Sequence, residues 1–194
     1  MPGTAQTLPL AAAPADASNR LSDVIRESLA EATMEMFEEQ AVAPADPEET
    51  ATALADSSSA AVIGFTSEDV RGSVVINIDT PMAIATRPAE LGPIAADDTR
   101  AIQDWAGELS NQLLGRAKNK VVKYGELLAM STPMALSARD LEWSPASATH
   151  IFRSFYSCPA GRMMVLIAMT INEDRTLELV ETDDCASEGD LVFF

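Results

Sequence analysis

The stretch DDTRAIQDWAGELSNQLLGRAKNKVVKY, residues 97–124, is the longest run of helical patterning in the chain, and the prediction of the fold starts from it. Consecutive residues of an α-helix lie about 100° apart around its axis, so apolar residues spaced by three and four form a stripe. Such a stripe normally faces a core. The sequence therefore predicts a long central helix that packs through Ile102, Trp105, Ala106, Leu109, Leu113 and Ala117.

The opposite side of this helix carries polar residues and a glycine. Asp104, Glu108, Asn111 and Gly115 follow one another at steps of three and four residues, which brings their side chains together on one face. Glycine in mid-helix costs roughly 1 kcal/mol relative to alanine, and close approach of another backbone at Gly115 would offset that cost. Two interpretations stay open for this face: a solvated surface, or a surface on which a partner docks.

The run from Gly107 to Lys118 resembles the signature helix of the CheC/CheX/FliY phosphatases, which act on the phosphorylated CheY response regulator of bacterial chemotaxis. The family pattern is Glu, two residues, Asn, and then Gly four positions further on, and Glu108, Asn111 and Gly115 match it. Residues 130–137 are similar to the family's short Thr/Ser-Pro strand segment, and residues 61–65 and 72–78 resemble its hairpin. The resemblance covers residues 20–172. Its single signature helix is more like CheX than CheC, which has two.

The resemblance implies an enzyme that hydrolyses the aspartyl phosphate of a phosphorylated CheY-like receiver domain. Such hydrolysis depends mainly on positioning an in-line water. A carboxamide suits this task because its oxygen accepts from water while its nitrogen donates. Asn111 is therefore expected to orient the water and Glu108 to contact the receiver's lysine. Asp104, Gly107 and Gly115 are expected to form the docking surface for the receiver.

The receiver already holds the phosphoryl group, a magnesium ion and a lysine, so the resemblance implies no metal or cofactor in this chain. Two other functions stay open. One is a binding module that docks receivers without turnover, and the other is a structural adaptor, as when related domains sit in the flagellar switch. The presence of both Glu108 and Asn111 favours the enzyme, because docking alone does not require an amide at that spacing.

The composition excludes several classes of function. The net charge of −17 argues against a nucleic-acid partner, because phosphate binding needs a basic surface. The sequence contains no apolar run of 18 residues, so no membrane span is expected, and a cytoplasmic location is expected. The single histidine, His150, and two distant cysteines, Cys158 and Cys185, do not match a zinc site. Two states stay open for the cysteines: a disulfide between them, or two reduced thiols as expected in the cytosol. The sequence has neither a Walker-type loop nor a dinucleotide-binding fingerprint.

The patterns along the chain predict one domain with two tails: a disordered leader at 1–17, the CheX-like domain at 18–180 and an acidic tail at 181–194. The tail ends in apolar residues, and two interpretations stay open for it, a partner peptide or a segment that packs back on the domain. The fold class implied is α/β of the α+β type, with long helices packed on a mixed, largely antiparallel sheet. CheX-type proteins pair through their sheets, so a homodimer is left open.

The individual elements follow from periodicity and turn signals. The first helix should begin after Ser18 or Asn19 and end near Gln40. Hairpins are predicted at 60–65 with 70–78 and at 151–157 with 162–171. Shorter elements are expected as follows: a loop with a short strand at 50–54, a helical turn or short helix at 81–87, a connection with a short edge strand at 131–133, a loop at 139–150 and a strand at 176–180.

Overall fold

The computed structural model describes residues 19–56, 58–138, 143–145 and 147–180 of the chain. The leader predicted at 1–17 and the acidic tail predicted at 181–194 lie outside these residues, and so does Cys185. Within the described part, no helix is both long and apolar enough to cross a lipid bilayer.

Seven strands in the described part form one sheet in which every pairing is antiparallel. The strands are β1 (Ala43–Pro44), β2 (Ser58–Thr66), β3 (Val70–Asp79), β4 (Ala129–Met130), β5 (Met134–Ala138), β6 (His150–Ser157) and β7 (Arg162–Ile171). Their order across the sheet is β1-β6-β7-β3-β2, and both β4 and β5 pair with the outer side of β2. The two predicted hairpins are confirmed as β2–β3 and β6–β7.

One face of the sheet packs against the long helices α1 (Leu21–Met36) and α4 (Thr99–Val121), which also contact each other. All six residues of the predicted stripe on α4 are at most 3% exposed, so the helix packs as its periodicity indicates. Lys120 Nζ ties the two helices together through Glu35 Oε1 at 2.6 Å and Glu31 Oε2 at 3.3 Å. The hydrogen bond that Lys120 donates to Glu35 raises the pKa of Lys120.

The other face of the sheet is covered in part by α2 (Pro47–Asp56). Leu54 packs there in a smaller apolar cluster with Val75, Met164, Leu166 and Ala168. The prediction of a short strand at 50–54 is therefore wrong, because these residues belong to α2. Asp46 Oδ1 accepts from Glu49 N at 2.9 Å, Pro47 occupies the first turn, and two glutamates follow it. The Asp46 cap, the proline in the first turn and the two acidic residues after it all favour the start of a helix at this point.

Three other predicted boundaries differ from the structure. The first helix ends at Met36, and residues 38–40 form a separate 3-10 turn. The strand predicted at 176–180 is reduced to a single bridge between Arg20 and Thr176. Residues 131–133 form the predicted connection, but the edge strand lies on either side of them, as the short strands β4 and β5. Ser131 N still donates to Gly64 O of β2 at 2.9 Å, and Pro133 has no N–H to donate to a ladder.

A short helix, α3 (Thr80–Thr86), joins β3 to the segment before α4, one residue ahead of the helical turn or short helix predicted at 81–87. The Asp79 carboxylate caps it by accepting from Met82 N at 2.8 Å, and it also accepts from Arg162 N at 2.9 Å across the sheet. Burial raises the pKa of Asp79. This cap stabilises the start of α3, which lies in the connection between β3 and α4.

Candidate functional site

The rotation of α4 about its own axis is fixed by hydrogen bonds at its start and on its buried side. Asp98 Oδ1 caps the helix by accepting from Ala101 N at 3.0 Å. Trp105 Nε1 donates to Thr86 Oγ1 of α3 at 3.2 Å. Because these bonds and the apolar stripe hold one side against the sheet, the opposite side is presented to solvent.

That outward side carries the polar residues that the sequence predicts. Asp104 and Glu108 are exposed, and Asn111 and Gly115 are partly exposed. Glu108 and Asn111 lie three residues apart, about 4.5 Å along the helix axis at 1.5 Å per residue. The structure therefore brings four of the five predicted site residues onto one face, as the helical period requires.

The side chains of Glu108 and Asn111 differ in their hydrogen bonding. Gln112 Nε2 donates to Glu108 Oε1 at 2.8 Å, which restrains the carboxylate on the surface. Among the described residues, neither the Asn111 side chain nor that of Asp104 takes part in a hydrogen bond or ion pair. The Asn111 amide thus keeps both its donor and its acceptor available for an incoming molecule.

The two glycines of the predicted docking surface have different environments. A Cβ on Gly115 would meet no described atom within 4 Å, so no other part of the described chain approaches this helix at the glycine. Gly107 is buried, and a Cβ there would lie 3.9 Å from Pro133 Cγ. Gly115 therefore leaves open space on the outward face, whereas Gly107 faces the neighbouring segment between β4 and β5.

That neighbouring segment forms one rim of the site. Pro133 packs beside Gly107, and Thr132 next to it is exposed. Further along, Gln103 Nε2 on α4 donates to Ser137 Oγ of β5 at 3.2 Å. Sequence reasoning identified this segment only through the family resemblance, because a contact between Pro133 and Gly107 joins parts of the chain that no local pattern connects.

The chemistry available on this face is that of carboxylates and amides. A carboxylate accepts charge-assisted hydrogen bonds from a cation, and an amide both donates and accepts. In the part of the chain that the structure describes, no group of three or more His, Cys, Asp or Glu residues is arranged to hold a metal ion. The face is therefore suited to bind and position groups that a partner supplies.

The fold that carries this helix is that of chemotaxis proteins of the CheX and CheC type. It is similar to the crystal structure of CheX from Vibrio vulnificus, at 21% identity and a TM-score of 0.64, over 75% of this chain and 99% of that one. A CheC-like protein from Shewanella oneidensis is similar at 21% identity and a TM-score of 0.62, over 78% and 98% of the two chains. CheX from Borrelia burgdorferi, in a CheX–CheY–BeF3–Mg complex, is similar at 13% identity and a TM-score of 0.55, over 75% and 97%.

The family model for the chemotaxis phosphatase CheX matches residues 59–156, a span that begins in β2, contains all of α4 and ends in β6. The chain belongs to this family. No curated protein matches its sequence at a significant level.

Proposed function

We propose that this protein hydrolyses the aspartyl phosphate of a phosphorylated CheY-like receiver domain, with Asn111 orienting the attacking water and Glu108 docking to the receiver. The observation that carries the proposal is the arrangement on α4: Glu108 and Asn111 lie one turn apart on one outward face, and the Asn111 amide has no partner among the described residues. The family match and the similarity to a CheX that is in complex with CheY support the choice of partner.

Asn111 acts by position rather than by acid–base chemistry. Its carbonyl oxygen accepts a hydrogen bond from a water, and its N–H2 group donates to an oxygen near the phosphoryl group. A fixed amide thereby holds the water in line with the bond that breaks, which contributes to the rate by orientation. The hydrogen bond of Trp105 and the buried stripe hold α4 in place, so the position of the Asn111 side chain on the outward face is fixed by the helix.

Glu108 anchors the helix over the receiver's site. The receiver supplies the phosphoryl group, the magnesium ion and a lysine, and the Glu108 carboxylate accepts a charge-assisted hydrogen bond from that lysine. The Gln112 amide restrains the carboxylate before docking, which lowers the conformational entropy lost on binding. Gly115 leaves open space for the receiver surface on the same face.

The test is the decay of a phosphorylated receiver from the same genome, with magnesium present. The unmodified protein should accelerate decay, and Asn111→Ala should reduce that acceleration by about 100-fold or more, as expected for loss of a group that positions or stabilises the reacting atoms. Glu108→Lys should abolish it by placing two cations together. The matched control is Asn119→Ala, an exposed asparagine two turns further along α4, which should leave the rate unchanged.

Unchanged decay in the presence of a receiver that still binds would contradict the phosphatase and support the docking module instead. Equal losses in the Asn111 and Asn119 variants would show that the amide of Asn111 has no specific role.

A further inference from the structure

The second face of the sheet, remote from α4, contains a groove of about 540 Å³. Side chains alternate between the two faces of a strand, and Val75 and Leu166 lie in the cluster under α2. Stepping by two along β3 and β7 therefore places Ser73 and Ala168 on the same face, where Ala168 belongs to that cluster and Ser73, outside it, is partly exposed. We call this site the end groove, and its floor consists of Gly64, Ser73 and Ala168, with Pro145 and Ala148 as one wall.

The floor residues of the end groove are small. Gly64, Ser73 and Ala168 lie in one row across β2, β3 and β7, since Gly64 pairs with Ser73 and Ser73 pairs with Ala168. In the next row towards α2 the side chains are larger and include Val75 and Leu166, and a Cβ added to Gly64 would lie 3.2 Å from Ser131 Oγ. The volume lies within the range of about 300–1,000 Å³ that is typical of binding pockets.

One end of the groove carries a positive charge. Ala129, Thr66, Arg71 and Thr170 pair in one row across four strands. The Arg71 side chain is exposed, and among the described residues it has neither an ion pair nor a hydrogen bond. In a chain with a net charge of −17, such a cation at the edge of a groove that no described residue fills favours an acidic occupant with an apolar part.

The chain itself contains a segment of that composition. Residues 181–190 include five acidic residues and no basic one, and Leu191, Val192, Phe193 and Phe194 follow them. Small floor residues allow an aromatic ring to lie close to the sheet, and the acidic residues just before the apolar four match the charge of Arg71. We propose that residues 191–194 bind in the end groove of their own chain, with the acidic segment beside Arg71.

The length of the connection agrees with this placement. Val180 N donates to Lys123 O at 2.9 Å, which fixes the point where the segment leaves the described chain. Lys123 and Ala129 are six residues apart, at most roughly 20 Å, and the ten residues 181–190 span up to about 33 Å when extended. Arg71 lies two strand spacings from Ala129, about 10 Å further. An extended segment is therefore long enough to reach Arg71.

The path between these points is also apolar. Leu127, which lies between Lys123 and Ala129, is 70% exposed, and Leu179 and Val180 are 66% and 49% exposed. A segment that runs from Val180 towards β4 would cover part of this surface. Binding within one chain is further favoured because the tether gives the segment a high effective concentration at the groove.

The experiment compares amide chemical shifts in the full chain with and without the aromatic residues. Phe193→Ser/Phe194→Ser should shift the amide signals of Gly64, Ser73 and Ala168. Leu91→Ser is the matched control, because Leu91 is 52% exposed and belongs neither to the groove nor to the apolar path from Val180, and it should leave those three signals in place. Unchanged groove signals in the double variant would overturn the proposal. This conclusion would hold even if another molecule binds in the groove.

A second variant tests the charge. Arg71→Glu in the full chain should move the Phe193 and Phe194 amide signals towards their positions in a free peptide of residues 181–194. If dilution produces the same movement in the unmodified protein, the segment binds a second copy of the chain, and the intramolecular proposal is wrong. Phosphatase activity is not part of this test, because the docking face of α4 lies on the other side of the sheet.

Discussion

Gly161 and Gly115 are two glycines with opposite surroundings. A Cβ on Gly161 would overlap Asp79 Oδ1 and lie 2.6 Å from Met82 N, two atoms that form the cap of α3. Relief by movement would break this cap or the bond from Arg162 N to the same carboxylate. A Cβ on Gly115 would enter open space. The first glycine is required by packing, whereas the second is tolerated by the fold at a cost in helix stability.

We therefore expect Gly161→Ala and Gly115→Ala to change stability in opposite directions. Gly161→Ala should lower the free energy of unfolding by about 1–3 kcal/mol, because overpacking strains a filled site. Gly115→Ala should raise it by about 0.5–1 kcal/mol, since alanine is the better helix former. Urea denaturation of the three proteins measures both changes, and a shared sign would contradict this account.

Gly115→Ala should also weaken the proposed activity. If Gly115 leaves room for the receiver, a methyl group there should raise the KM for the phosphorylated receiver several-fold while kcat changes little, because docking rather than the reacting group is affected. Steady-state kinetics with Asn119→Ala as control checks this. A more stable protein with an unchanged KM would show that the receiver does not approach α4 at this position.

Helix α2 buries a threonine hydroxyl that has no hydrogen-bond partner among the described residues. Thr50 is 1% exposed, and its Oγ1 has no hydrogen-bond partner among the described residues. Thr33 in α1 is equally buried, but its Oγ1 donates to Leu29 O at 2.8 Å. A buried hydroxyl without a partner is unfavourable, whereas one that is bonded has little net cost.

Replacing each threonine by valine should separate the two cases. Thr50→Val should raise the free energy of unfolding by about 1 kcal/mol, because it removes an unpaired polar group and keeps the shape. Thr33→Val should lower it by up to about 1 kcal/mol, because a formed hydrogen bond is lost. Denaturation curves report both values, and destabilisation by Thr50→Val would mean that its hydroxyl has a partner in solution.

The elements that sequence reasoning predicted well are those with long, regular patterns. The stripe of α4 spans most of its length, so its burial and the outward position of Glu108 and Asn111 followed from the helical period alone. α2 was missed because its short, alanine-rich sequence has weak periodicity, although Asp46 and Pro47 gave a readable start signal. The rim formed by Pro133 depends on contact with Gly107, which only the folded chain brings about.

At the scale of the whole molecule, charge is the dominant feature. The chain carries 30 acidic residues against 13 Lys and Arg, so the folded protein concentrates like charges that the unfolded chain separates. Such self-repulsion destabilises the compact state and is screened by salt. Ion pairs such as those of Lys120 with Glu31 and Glu35 offset only part of it.

Added salt should therefore raise the melting temperature of this protein. Going from low to physiological ionic strength should increase Tm by about 2–4 °C, the shift that corresponds to 1 kcal/mol in a domain of this size. Sodium chloride and choline chloride should act alike, because screening depends on ionic strength and not on the cation. A fall in Tm, or a rise with sodium alone, would contradict this explanation.

The two residues proposed to act on the receiver both belong to α4, and their separation is set by three steps of one helix. Their relative geometry therefore depends on local backbone hydrogen bonds and not on the sheet, the other helices or the loops. It follows that the pair is portable: an exposed helix of an unrelated scaffold that carries Glu, two residues and Asn reproduces the same spacing. What such a transplant would lack is the rim at Pro133, so its docking, and not its internal geometry, would need to be rebuilt.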